Sequence, residues 1–460
     1  MKHRPTALSA LGQRTAAPPI SWLMRLQLDR PELISLATGF TDNESLPVIE
    51  TRALLDQLLS TLASGRPPLQ YGTTAGLADL RRLAAEHVSR LDAQAVASAA
   101  SVPVTGRRYN PERLLITHGS QQLLYLVTEA LCDSGDIVLV EDPTYFVYLG
   151  IAQSHGLVCR ATPLTPAGLD FDHLDQVLAE LTKSGQIRRL KYFYTISYLQ
   201  NPTGTTLRLK DKQALAQRLR ACEQAAGHPI YILEDAAYRE LRFAGTDVPS
   251  MLFLPGGMER VIYAATFTKP FATGVRVGYG LLPAPLYEVV YRIKGNHDFG
   301  TSSLLQHLMV RAMQSGEYGK HLEALHRRYR AKAEIMVEAM RREFPRAVAW
   351  NEPEGGLYVW ARLPDNRSAG LKSRFFRKAL KNKVLYVPGE LCYAPDPSRP
   401  QPRHELRLSY GSATEVEIRE GIRRLGQTMR SLSLEATRGR ARPAGGSASA
   451  APPRPRRGRY

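Results

Sequence analysis

Between residues 112 and 282, apolar runs of strand length alternate with amphipathic stretches of helical length. ERLLITHG (112–119) reads as a strand. SQQLLYLVTEALCD (120–133) reads as a helix, because its apolar residues recur at helical spacing. DIVLVED is the next strand, YFVYLGIAQSHG the next helix, and LVCRATPL, LKYFYTIS, PIYILED, RVIYAAT and VRVGYGLL continue the strand series. FDHLDQVLAELTKSG and DKQALAQRLRACEQAAG are helical patterns lying between strands. This alternation predicts an α/β fold with a mainly parallel, helix-covered sheet of seven strands. VRVGYGLL follows RVIYAAT too closely for a crossover helix, so it is expected to pair antiparallel.

The pattern changes near Tyr318. YGKHLEALHRRYRAKAEIMVEAMRREF is one long helical pattern, and AVAWNEPEGGLYVWARLP is hairpin-like with Gly355 and Gly356 near its turn. HELRLSYG then reads as a strand and TEVEIREGIRRLGQTMRSL as a terminal helix. At 460 residues the chain is too long for one core. The expected division is an N-terminal extension (1–32), a large unit (33–317), a smaller α/β unit (318–434) and a basic tail (435–460).

Composition narrows the picture further. With 43% apolar and 23% charged residues the protein is an ordinary globular one, and no apolar run approaches membrane-spanning length. The net charge is +18, and the tail alone holds seven arginines against one glutamate. Its Pro/Gly/Ala/Arg composition cannot build a core; we read it as a solvated extension in preference to a nucleic-acid contact. The N-terminus lacks a hydrophobic signal core. Its Arg, Ser and Thr content, with no acid before Asp29, has a transit-peptide flavour, but a disordered extension of a cytoplasmic protein is the preferred reading. Cys132, Cys159, Cys222 and Cys392 form no CxxC pair and read as unpaired thiols of a reducing compartment. The eleven histidines show no metal-binding spacing, so no metal site is expected.

Three residues carry the chemistry. Asn201, Asp235 and Lys269 stand 34 residues apart, each just beyond an apolar strand-like run. Ligands of open α/β sheets bind at the carboxyl ends of strands. There a lysine can form a Schiff base and an acid can keep a ring nitrogen protonated. The surrounding motifs are QNPTG (200–204), EDAAY (234–238) and TFTKPFATGVRVGYG (266–280). In this order they resemble the class I/II aminotransferases, pyridoxal-phosphate enzymes of fold type I. LISLATGF, YGTTAGLADLR, ITHGSQQ and EDPTYF bring the chain nearest the 2-aminoadipate and kynurenine aminotransferase branch.

The resemblance implies roles for residues that match its motifs. Lys269 matches the lysine that holds the cofactor and Arg276 the phosphate-binding arginine. Asp235 matches the partner of the pyridine nitrogen, while Tyr238 and Asn201 match the two partners of the cofactor's phenolic oxygen. Gly119, Ser120 and Gln121 open a helix whose free N–H groups would take the phosphate, assisted by Thr266 and Thr268. Tyr145 matches the aromatic that stacks on the cofactor ring. Tyr71 matches a tyrosine reaching the neighbouring subunit's phosphate, which implies a homodimer. Arg407 matches the grip on the substrate α-carboxylate, and Gly39 a backbone that approaches the substrate, as does Asn201. Two positions depart from the pattern. Thr273 stands where proline is usual, and GFTDNESLP replaces G-x-P-[DN]-x-x-x-F-P. The implied activity moves an amino group from an L-amino acid, aromatic, 2-aminoadipate-like or otherwise large, to a 2-oxo acid. A lyase, decarboxylase or cyclase on the same scaffold remains the alternative. A regulator built on this domain would need a winged helix, for which the residues before LISLATGF leave no room.

Overall fold

The computed structural model describes residues 7–100, 109–165, 168–364, 367–396 and 399–440. Its central feature is an eight-stranded sheet. From one edge to the other the strands are Leu114–Thr117, Gly278–Leu281, Val261–Thr266, Tyr231–Asp235, Leu190–Thr195, Ile137–Asp142, Val158–Thr165 and Gly168–Leu169. The five strands from Val261–Thr266 to Val158–Thr165 are mutually parallel. Gly278–Leu281 runs antiparallel to both its neighbours, as its short connection requires. The seven expected strands are present. The eighth, Gly168–Leu169, is a two-residue hairpin return beside Leu164 and Thr165, too short to leave a periodic signal.

Both faces of the sheet are covered, which is why its strands are almost continuously apolar. Successive side chains serve opposite cores. In Leu190–Thr195, Tyr192 and Tyr194 enter one cluster and Phe193 the other. In Val261–Thr266, Ile262 and Ala264 face one way, and Val261, Tyr263 and Ala265 the other. The helix Gly119–Leu131 buries Leu123, Leu124 and Val127 against the first core.

Beyond the long helix Glu317–Glu343, a four-stranded antiparallel sheet forms in the order Ala349–Trp350, Tyr358–Arg362, Glu405–Ser409, Val387–Pro388. The terminal helix Glu415–Arg440 lies against Glu317–Glu343. It runs six residues into the segment read as a tail; residues 441–460 lie outside the described residues.

The expectation of a disordered N-terminal extension is overturned from residue 10 onward. Helices form at Ala10–Arg14 and Pro19–Asp29. Leu23 is fully buried, and Arg14 donates to the Ser154 carbonyl at 3.2 Å. Apolar contact there outweighs the basic composition. The chain then joins the smaller sheet region: Ile34–Ser35 pairs parallel with Val384–Leu385, and Ser409 N–H donates to the Leu36 carbonyl at 2.8 Å.

Candidate active site

The parallel strands end side by side, and their register sets the site. Thr195 lies opposite Glu234, and Asp235 opposite Ala264. Thr117 and Thr266 both pair with Gly278, the first residue of the antiparallel strand. Around these ends is a cavity of about 120 Å³ lined by Ser120, Gln121, Tyr145, Asn201, Asp235, Tyr238, Thr266, Thr268, Lys269 and Arg276. Ten of the residues singled out from sequence therefore converge on one space.

At one end stands the N-terminus of helix Gly119–Leu131. Gly119 has φ +71°, and a Cβ there would lie 2.8 Å from the Arg276 guanidinium. A Cβ on Gly278 would meet the Gly119 carbonyl carbon at 2.5 Å and the Ser120 nitrogen at 2.6 Å. Two glycines thus let the helix end, the strand and Arg276 close on one point. Arg276 itself adopts a left-handed φ of 52°, a backbone state that costs a non-glycine residue roughly 1–3 kcal/mol and clusters at functional sites. Its guanidinium donates to the Thr268 hydroxyl at 3.3 Å. The Thr266 hydroxyl accepts from Thr268 N–H at 3.1 Å and donates to the Val277 carbonyl at 3.2 Å, so it braces this turn.

Opposite, Asp235 is buried and accepts from Tyr194 Oη at 3.1 Å and from Ala237 N–H at 3.0 Å. Burial pushes its carboxyl up to about 6, and the two hydrogen bonds restrain the rise. The carboxylate is therefore ionised at neutral pH. Tyr194 was not singled out from sequence. In LKYFYTIS it is indistinguishable from Tyr192, a core tyrosine, and only the register reveals its partner. Its ring stacks on Tyr148 at 3.7 Å.

Lys269 is half-buried and donates to the Gly39 carbonyl at 2.7 Å. Burial, with Arg276 and Arg407 nearby, lowers its ammonium to about 8, so a neutral amine is accessible near physiological pH. Arg407 is 1% exposed. It donates to Asn201 Oδ1 at 2.7 Å and to the Ala37 carbonyl at 2.8 Å, while its buried Nε has no partner. Asn201 Nδ2 in turn approaches the Tyr238 hydroxyl at 3.5 Å. Tyr71 stands apart: it is 84% exposed, packs edge-on against Phe299 and does not line the cavity.

These residues fit pyridoxal phosphate. Among the described residues, no carboxylate lies within ion-pair distance of Arg276, Lys269 or Arg407. Asp235 is the one acid lining the cavity. Three buried or half-buried cations without counter-ions call for anions, and a phosphate at Arg276 and a carboxylate at Arg407 would supply them. Asp235 would offer a carboxylate to a protonated ring nitrogen. The described residues hold no cluster able to bind a metal.

A larger cleft, about 910 Å³, lies elsewhere, beside the helix that begins at Ala78. Its side chains are largely paired with one another, as in His87–Glu240 and Arg239–Asp247. The chemistry belongs to the smaller cavity.

Comparison with known proteins agrees. The family profile for aminotransferase class I and II matches residues 31–425. The chain is 32% identical to the 2-aminoadipate transaminase of Thermus thermophilus, over 91% of this chain and 95% of that protein. It is likewise 32% identical to aromatic-amino-acid aminotransferase 1 of Thermococcus litoralis, over 92% and 93%. The crystal structure of the α-aminoadipate aminotransferase LysN from Thermus thermophilus, complexed with N-(5'-phosphopyridoxyl)-L-leucine, superposes with a TM-score of 0.77 at 30% identity, covering 93% of this chain and 98% of that one. The chain belongs to the class I and II aminotransferases and is a pyridoxal-phosphate-dependent transaminase of fold type I.

Proposed function

We propose that this transaminase takes its amino group from an L-amino acid with a large side chain, aromatic or 2-aminoadipate-like, and passes it to a 2-oxo acid. The carrying observation is a cavity lined by Lys269, Arg276 and the single carboxylate Asp235, with Arg407 bound to its Asn201 and no counter-ion on any of the three cations among the described residues. The donor class draws its support from relatives named for 2-aminoadipate and aromatic amino acids.

When bound, pyridoxal phosphate supplies the electron sink that acidifies the amino acid Cα–H. The chain's own residues do the rest. Arg276, Thr268 and the N–H groups of Gly119, Ser120 and Gln121 hold the phosphate. Asp235 keeps the ring nitrogen protonated, Asn201 and Tyr238 hold the phenolic oxygen, and Tyr145 covers the ring. Lys269 Nζ would be the group that holds the cofactor, and its amine, lowered to about 8, would be the base for the proton at the substrate Cα. Arg407 offers a planar fork to the α-carboxylate, and the segment at Gly39 closes over the reacting atoms.

We further infer a homodimer in which Tyr71 serves the partner's site. Its support is the exposure of Leu62, Leu69, Tyr71 and Phe299, of which Tyr71 and Phe299 pack against each other. A cytoplasmic location is supported by four unpaired cysteines, of which Cys132, Cys159 and Cys392 are held up to about 12 by burial. No helix among the described residues is long and apolar enough to cross a membrane. The division at residues 317/318 is supported by the separate four-stranded sheet that follows it.

The test is a single-turnover panel. Cofactor-loaded protein is mixed with individual L-amino acids, without acceptor, and the products are counted. One 2-oxo acid per site, released from aromatic or 2-aminoadipate-like donors and reversed by adding a 2-oxo acid, is the expected result. Release of carbon dioxide or of a β-substituent would instead establish the decarboxylase or lyase chemistry.

A further inference from the structure

Tyr358 was not singled out by any sequence motif, yet it meets Arg407, Tyr238 and Gly39. It lies in the strand Tyr358–Arg362, whose neighbour carries Arg407; Trp360 faces Arg407 and Tyr358 faces Ser409. Tyr358 and Arg407 are therefore diagonal neighbours, and the Arg407 guanidinium sits 4.2 Å above the Tyr358 ring. The Tyr358 hydroxyl is 3.0 Å from the Tyr238 hydroxyl. A Cβ added to Gly39 would come within 2.4 Å of the same oxygen.

The hydrogen-bond count at Tyr238 decides what this contact does. A phenol has one proton to give and two lone pairs to receive with. Asn201 Nδ2 can only donate, and it approaches the Tyr238 oxygen at 3.5 Å. If Tyr238 gave its proton to Tyr358, none would remain for the cavity. If Tyr358 gives instead, Tyr238 receives from both neighbours and its own proton is left to point into the cavity. Burial, with Tyr358 and Tyr145 alongside, keeps Tyr238 far above the ordinary phenol range, so that proton is always present.

We propose that Tyr358 is a positioning residue for the transamination: its hydroxyl donates to Tyr238 and so directs the single Tyr238 proton to the phenolic oxygen of the cofactor. This rests on the reading of Tyr238 as that oxygen's partner. A phenol that receives hydrogen bonds is a stronger donor in turn. The chain from Tyr358 through Tyr238 therefore stabilises the ionised form of the cofactor phenol. The stacked ring of Tyr358 meanwhile fixes the plane of Arg407, so one side chain from the smaller sheet aligns both the carboxylate grip and the cofactor's phenolic edge.

The experiment measures the pH midpoint of the visible absorbance of the cofactor-loaded protein in the wild type, Tyr358→Phe, Tyr238→Phe and the double variant. Cofactor content and apoprotein melting temperature are recorded alongside. Hydrogen bonds to an ionised form lower its pKa. Tyr358→Phe should therefore raise the midpoint by roughly 0.5–1 pH, with full cofactor content. Tyr238→Phe should raise it at least as far, and the double variant no further than Tyr238→Phe alone. A midpoint that moves in Tyr238→Phe but not in Tyr358→Phe would overturn the proposal and leave the reading of Tyr238 standing. Additive shifts would also overturn it, because Tyr358 would then act by another route. If neither variant moved the midpoint, the role of Tyr238 would fall and that of Tyr358 with it.

Discussion

Asp235 and Arg407 are held in ways that permit separate tests. Asp235 must be ionised to hold a protonated ring nitrogen, and burial works against that by lifting its carboxyl to about 6. The Tyr194 hydroxyl opposes the rise. In Tyr194→Phe a hydrogen bond worth about 1 kcal/mol is lost, which is ~0.7 of a pKa. The pH below which apoprotein loses cofactor affinity should climb by about that much, as read by cofactor titration across pH; an unchanged profile would remove Tyr194 from the account. The sign is that of an acid whose folded pKa is raised. The uncharged form favours the fold at low pH, and the apoprotein loses that contribution as pH rises from 3.8 to about 6. Arg407→Lys keeps the charge but not the fork. It should cost about 2–3 kcal/mol, roughly a hundredfold in kcat/KM for amino acids, while amines without a carboxylate and the cofactor absorbance change little. Lys269, Asp235 and Asn201 were legible because each follows a strand within a distinctive motif. Tyr194 and Tyr358 were not, because a tyrosine inside a strand reads as core whichever partner its hydroxyl finds.

At the level of elements, the strands from Leu114 to Leu281 were readable because a doubly covered sheet demands apolar residues at nearly every position. The antiparallel placement of Gly278–Leu281 followed from the length of its connection alone. The helix Pro19–Asp29 was misread. Its Ile20, Leu23 and Leu26 do sit at helical spacing, but the Arg, Ser and Thr content with no acid before Asp29 suggested a disordered extension. What the linear pattern could not display was the contact between Gly278 and the start of helix Gly119–Leu131, since those residues are distant in the chain. Gly278→Ala should force a Cβ against backbone atoms that cannot rotate away. Overpacking of this kind costs about 1–3 kcal/mol. The variant should show a lower melting temperature together with weaker cofactor binding if the displaced helix end holds the phosphate; normal cofactor affinity would show that the close approach is structural only.

The molecule as a whole is a mostly parallel sheet and a smaller antiparallel one, bridged by an N-terminal segment that hydrogen-bonds both Lys269 and Arg407 through Gly39 and Ala37. Tyr71 is exposed and does not line its own chain's cavity. If it serves the partner, Lys269→Ala and Tyr71→Ala subunits should complement. Mixing them equally under exchange conditions should restore about a quarter of wild-type activity, because half the random dimers carry one intact site. No gain over the separate variants would contradict a shared site. The central claim is that Lys269 holds the cofactor. It is tested most directly by borohydride reduction of the cofactor-loaded protein followed by peptide mapping. The account predicts one phosphopyridoxyl group per chain, on Lys269 within TFTKPFATGVR. A label on any other lysine would contradict it.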